Sequence, residues 1–389
     1  MASRTQTGSP AVLALAEHVD ALPLIDHHVH GALRAAPDRA ALEGMLNEGY
    51  PGTPPAWMTP FDSQLGFAIR RWCAPLLGLA AGAEADTYWA ARAALGEAEV
   101  NRRLLPAAGV SDWLVDTGYA SDVVLRPAEM AQISGQAAGH EVVRLETIAE
   151  QLSATGITAA GYPDAFRMRL AEATGDAVGV KSIVAYRAGF ALDWTRPADA
   201  QVAAAASAWL AKVGAGGAAR LADPVLLRFG LFTALDRGLP IQLHVGFGDR
   251  DIDLRLANPL HLREFLFAAE SASVPVLLLH CYPFEREAGY LAQAFTTVYI
   301  DAGLAINYAG ARAGAIIART LEMAPFTKVL YSSDAWGPAE LHYLGAVLWR
   351  RATTRVLGGW VEDGDWTAAD ARRVATLIAS ENARRAYRL

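Results

Sequence analysis

The feature that most constrains this chain is a repeated alternation of apolar runs with helical patterning. Short β-branched or apolar runs fall at 22–30, 111–116, 141–145, 178–186, 239–245, 274–280, 297–301 and 328–334, and most end on a polar residue. Runs of this length, bounded by turn signals, suit strands buried on both faces. Near-continuous apolar segments such as VPVLLLH belong in a parallel sheet covered by helices on each side. Eight such units predict an α/β fold, specifically a (β/α)8 TIM barrel. That architecture takes about 250 residues and tolerates insertions to beyond about 400. The chain has 389 residues, of which 53% are hydrophobic and 19% charged. One large core is therefore within reach, and the expectation is a single domain over residues 1–389.

One interruption is too long for a βα connection. Residues 35–108 hold a turn-rich segment, GYPGTPPAWMTPF, followed by helical stretches such as TYWAARAALGEAEVNRRLL. They predict a helical insertion after the first strand, near the barrel mouth, where insertions in this fold shape the substrate pocket. Further helices are expected over 148–174, 197–213, 218–237, 259–271, 285–294, 310–322, 338–356 and 367–386.

The formal net charge is −7 with no basic run, which argues against nucleic acid or an anionic membrane surface and for a small-molecule substrate. Only Cys73 and Cys281 are present. They form neither a disulfide framework nor a paired-cysteine metal site, as suits a reducing cytoplasm. The N-terminus lacks a long apolar region followed by a small-residue cleavage site, and no apolar stretch reaches membrane-spanning length. Helical surfaces are compatible with a homodimer.

The chemistry concentrates at strand ends. In Asp26-His27-His28-Val29-His30, alternation along a strand points His28 and His30 the same way and His27 the other. Two adjacent imidazoles suit a divalent metal, and His27 reads as a supporting or packing residue. Three histidines on an apolar strand need a reason, because each buried imidazole must satisfy its polar edges. His244 closes PIQLHVG, His280 closes VLLLH, and Asp334 closes VLYSSD. A lone histidine after an apolar run is usually structural. Their recurrence at the rim where barrels assemble catalytic groups favours a site.

With these residues in view, the chain resembles the amidohydrolase superfamily, whose pattern is HxH after strand one, His after strands five and six, and Asp after strand eight. His28, His30, His244, His280 and Asp334 match in order. Phrases such as VGVKSIVAYRAGF and LLLHCYPFEREAGYLAQAFTTVYIDAGLA resemble the amidohydrolase-2 branch, and within it the FluG-like domains that also occur fused to glutamine-synthetase-like modules.

The resemblance implies a site of His28, His30, His244 and Asp334 holding Zn2+, with Mn2+ or Fe2+ as other candidates. Lys181, in the fourth strand, leaves the metal count open. Two-metal relatives bridge their ions with a carboxylated lysine there, in which case His244 and His280 bind the second ion. An ordinary rim lysine is the equal alternative. The implied reaction is attack of metal-activated water on an amide carbonyl, with Asp334 carrying the proton to the leaving amine. In a one-metal site His280 orients the water or stabilises the oxyanion.

Arg187, Asp249, Arg255, Asn258 and Glu146 follow strands three to five, where they are expected to reach the rim. Arginine can clamp a carboxylate and an acid can hold an ammonium, which together suit an amino-acid head group. Ordinary loop ion pairs are the competing reading. The FluG-like resemblance implies a γ-glutamyl amide or an N-acyl amino-acid-like substrate. A metal-dependent decarboxylase is the main alternative, and a non-catalytic scaffold a further one. Cys281 should face away from its histidine neighbour as a small buried hydrophobe, while Tyr282 and Trp336 are candidates for pocket walls.

Overall fold

A computed structural model describes residues 9–49, 55, 57–135 and 137–389. Most of the turn-rich stretch 50–56 and the first eight residues, on which the reading of the N-terminus partly rests, lie outside the described residues.

Seven parallel strands run in the order β1 Leu24–Val29, β2 Val110–Asp116, β3 Ala138–Arg144, β4 Gly179–Ser182, β5 Ile241–His244, β6 Val276–Leu279 and β7 Val298–Ile300. Each pairs with its successor in sequence, which gives a curled α/β sheet. All seven lie within predicted runs or overlap them.

The eighth predicted strand, 328–334, is not one. Leu330 donates its N–H to Ile300 O on β7, His27 N on β1 donates to Tyr331 O, and Asp334 N donates to His28 O. The segment thus hydrogen-bonds to both edge strands without a regular ladder. Its side chains explain the irregularity. Ser333 bonds the Asp26 carboxylate through its N–H and its hydroxyl, Ser332 bonds Asp301, and Asp334 adopts φ +47°. Polar anchors at three successive residues replace the period-two alternation of a strand.

A further difference is helical. Instead of one helix over 148–174 there are two, Leu145–Ser153 and Tyr162–Ala173. Gly156 takes φ +75° between them, and Pro163 sits in the first turn of the second, where its missing N–H costs nothing.

Two apolar layers hold the sheet. The larger lies between the strands and the surrounding helices, and the smaller joins Ile25, Leu114, Val142, Leu277 and Leu279 to Ala383, Ala386 and Tyr387 of the last helix, Asn382–Tyr387. Tyr387 packs beside Gly179, the first residue of β4. The C-terminal helix therefore fills the end of the sheet's interior where strands begin, leaving the end where they finish open for a site. Helices Ala85–Leu95 and Glu97–Ala107, which lie between β1 and β2, share the larger core. Buried Arg92 ties them to the long helix Ala339–Glu362 through Glu97 at 2.9 Å and Glu340 at 2.7 Å. Among the described residues no helix is long and apolar enough to cross a membrane.

Candidate metal centre

The strand ends deliver the site. His28 lies on β1, His30 just past it, Lys181 on β4, His244 at the end of β5, His280 after β6 and Asp334 in the irregular segment. Ligand atoms of His28, His30 and Asp334 all lie within 4.8 Å of one another. Asp334 Oδ1 is 3.0 Å from His28 Nε2 and 3.7 Å from His30 Nε2, and its Oδ2 is 3.2 Å from His280 Nε2. Lys181 Nζ stands 3.0 Å from the same His28 Nε2. His244 stacks against His280 with ring centroids 4.7 Å apart.

The outer ring nitrogens are held. His28 Nδ1 is 2.7 Å from Gln242 Oε1, and His30 Nδ1 is 3.2 Å from the Asp116 carbonyl. Both partners accept, so both histidines turn lone-pair-bearing Nε2 atoms toward Asp334. His244 Nε2 and both ring nitrogens of His280 are buried without a hydrogen-bond partner. Buried polar atoms are rarely left so. The Asp334 carboxylate and the Nε2 lone pairs of His28 and His30, facing one another, fit a bound cation.

Electrostatics agree. Burial pushes His28, His244 and His280 well below the ordinary imidazole value and His30 to about 4, which keeps them neutral and able to ligate. Burial raises Asp334 to about 6 and lowers Lys181 to about 8. Burial works against ionisation of Asp116 as well, but Arg144, His30 and Lys181 outweigh it and hold its carboxyl well below the usual range.

A cavity of roughly 1010 Å³ opens above these groups, lined by His30, Lys181, His244 and Asp334 together with Arg187 and Asp249 from the predicted substrate set. Arg187 pairs with Glu150 at 2.9 Å, and its buried Nε has no partner. The other three predicted contacts stand elsewhere. Arg255 is 88% exposed and pairs with Asp253. Asn258 caps the short helix Pro259–Leu262 by accepting from Leu260 N. Glu146 is buried under the loop after β4, where Ser182 Oγ at 2.6 Å and Ile183 N donate to it. Each follows a strand, but local capping and pairing hold it away from the cavity.

Trp336 lines the cavity and packs against Tyr119, whereas Tyr282 does not line it. Cys281 is buried, its thiol donating to Leu278 O. The sequence reading missed Glu48, Tyr119, Tyr186 and Arg220, which also line the wall, and Gln242 and Asp301 beneath it. Asp301 closes a predicted strand on a polar residue, the same signal that marked His244. Gln242 lies two residues before His244 and so shares its face.

A family model described as Amidohydrolase, of the amidohydrolase-2 type, matches residues 122–389. The chain belongs to the amidohydrolase family. The match begins after the HxH motif, so the convergence of His28 and His30 on Asp334 is a separate observation. Protein fluG of Emericella nidulans is 32% identical to this amidohydrolase over 225 residues, which are 54% of this chain and 26% of that protein. The chain thus spans about a quarter of that relative's length. A Lactobacillus casei protein described as a metal-dependent hydrolase has a crystal structure that superposes with TM-score 0.83 at 30% identity, covering 96% of this chain and 97% of that one. Glucuronate isomerase from Caulobacter crescentus superposes with TM-score 0.63 at 16% identity over 97% of this chain and 94% of that one, a likeness of fold alone.

Proposed function

We propose that this amidohydrolase is a metal-dependent hydrolase that cleaves an amide in a small γ-glutamyl or N-acyl amino-acid-like substrate. The observation that carries the reading is the convergence of His28, His30 and Asp334 from distant parts of the chain, their ligand atoms within 4.8 Å. Nitrogen donors with one carboxylate favour Zn2+, with Mn2+ and Fe2+ as alternatives. In this reading segment 328–334 completes an eight-membered barrel, and the likeness to Protein fluG supports a place in the FluG-like branch.

His28, His30 and Asp334 would hold the ion, with His244 and Lys181 beside it. A second ion would require Lys181 carboxylated as a bridge, with His244 and His280 as its other ligands. When bound, the ion lowers the pKa of water and polarises the scissile carbonyl. Asp334 turns one oxygen toward His28 and the other toward His280. The second oxygen would accept the water's proton and return it to the leaving nitrogen. His280, free of other partners, orients the attacking oxygen or stabilises the charge that develops on the carbonyl oxygen.

The cavity wall supports the substrate class. Arg187 offers a buried, unpartnered Nε suited to a carboxylate. Asp249 lines the same cavity with no cation partner among the described residues, so an ammonium would complement it. The test pairs metal analysis with a screen of γ-glutamyl amides and N-acyl amino acids for amine release, alongside aromatic acids for carbon dioxide release. Stoichiometric metal and amine release, lost in His28→Ala, are expected. Carbon dioxide without amine would move the protein to the decarboxylase reading, and a metal-free protein unaffected by His28→Ala would mean a scaffold.

A further inference from the structure

Beneath the metal centre lies a buried chain of side chains with no role in the steps above. Gln242 Nε2 is 2.7 Å from the His27 carbonyl and 2.7 Å from Tyr387 OH, and its Oε1 is 2.7 Å from His28 Nδ1. Tyr387 OH is 3.0 Å from His27 Nδ1, and His27 Nε2 is 3.0 Å from Asp301 Oδ2. Asp301 Oδ1 in turn accepts from the backbone N–H groups of His280 and Gly303 and from Ser332 Oγ.

The direction of every bond follows from the two ends. A backbone carbonyl only accepts, so the Gln242 amide must turn its NH2 toward His27 O, because the flipped amide would set two acceptors 2.7 Å apart. Its carbonyl oxygen then faces His28, which must carry its proton on Nδ1. The second Gln242 hydrogen points at Tyr387 OH, which accepts it and gives its own proton to His27 Nδ1. His27 is left with its proton on Nε2, donated to Asp301. No other neutral arrangement places every donor.

We propose that Gln242 is a positioning residue which, held by the His27 carbonyl and supported by Tyr387 at the near end of this one-way chain anchored at Asp301, locks His28 in the Nδ1–H tautomer and so keeps Nε2 open for the ion. A metal-ligating histidine is commonly oriented by the partner of its other nitrogen. What this chain adds is a link from that partner to the C-terminal helix, two residues from the end of the sequence. The same Asp301 also fixes the backbone at His280, which holds φ +68°, so one carboxylate sets two sides of the centre. The inference rests on His28 being a ligand as proposed above.

The test is 15N NMR of ring-labelled histidines in chelator-treated, metal-free protein, followed by zinc titration against a chromophoric chelator. Wild type is expected to show His28 protonated on Nδ1 and His27 on Nε2. Gln242→Leu should mix the His28 tautomers and weaken zinc binding by about 10- to 100-fold. Ala386→Gly, in the last helix, should lower the melting temperature yet leave tautomers and affinity unchanged. Wild-type His28 protonated on Nε2, or a Gln242→Leu protein with wild-type tautomers and affinity, would overturn the proposal. The wild-type tautomers decide the matter even if Gln242→Leu fails to fold. If wild type takes up no metal while its tautomers are as expected, it is the functional reading that fails.

Discussion

Asp334 Oδ1 faces His28 Nε2 across 3.0 Å, and the hydrogen bonds behind His28 place its proton on the far nitrogen. An ionised Asp334 and the His28 lone pair therefore oppose each other with nothing between them to attract both. Lys181, 3.0 Å from the same nitrogen, eases this in part. Burial acts against the carboxylate charge, and Asp334 moves up to about 6. The metal-free centre is thus an arrangement that protein atoms alone leave unsatisfied and that a cation would complete.

Asp334→Asn follows directly. An amide keeps the shape, can donate to the opposing lone pairs and carries no charge. The metal-free variant should be at least as stable as wild type and should bind zinc at least about 100-fold more weakly, beyond the loss typical of removing an outer partner. Chelator competition with calorimetry on both proteins checks it, and wild-type affinity in the variant would contradict it.

Metal should also appear in stability. An ion that binds only the folded state adds about 4 kcal/mol when free ligand reaches about 1,000 times its Kd. Chelation should lower the melting temperature by several degrees, and zinc should restore it in a concentration-dependent way. Magnesium should do little, because it prefers oxygen ligands in octahedral array over imidazoles. Equal rescue by both ions would point to a site elsewhere.

The strand ends were legible because a polar residue closing an apolar run is costly unless it is used. That signal marked His28, His30, His244, His280 and Asp334, whose side chains the fold brings close together. It did not reveal segment 328–334 as irregular, since Ser332 and Ser333 find their partners, Asp301 and Asp26, about 30 and 300 residues away in sequence. Nor did it separate Arg187, which lines the cavity, from Arg255, which pairs locally with Asp253. Both follow strands, and only the loop's path distinguishes them. Glu48 comes from the segment between β1 and β2 and Tyr387 from the last helix, so tertiary packing alone sets them beside the site.

That contrast is testable. Arg187→Met should raise KM for an anionic substrate by about 10- to 200-fold, the loss expected when about 1.4–3 kcal/mol of a charge-assisted hydrogen bond is removed. Arg255→Ala removes only an exposed ion pair and should change stability by no more than about 0.5 kcal/mol and KM not at all. Steady-state kinetics on both variants would settle it, and a larger effect at Arg255 would reverse the assignment.

Glu48 should govern the pH dependence of the cavity wall. Burial, followed by repulsion from Asp334 and Asp249, raises its carboxyl from 4.5 to about 8, with the Tyr308 hydroxyl 3.3 Å away. Between those values the folded protein holds a proton that the unfolded chain has released, so Glu48 costs stability as pH rises through that window, and most above it. Glu48→Gln lacks that cost. The full shift would be worth about 5 kcal/mol, but Glu48 is partly exposed and lines the open cavity, so solvent screening cuts this to about 1–2 kcal/mol. Metal-free Glu48→Gln should therefore match wild type near pH 4.5 and exceed it by that amount near pH 9 in denaturant unfolding. An equal difference at both pH values would mean that Glu48 titrates as an ordinary surface carboxylate and that the cavity wall is better hydrated than its lining implies.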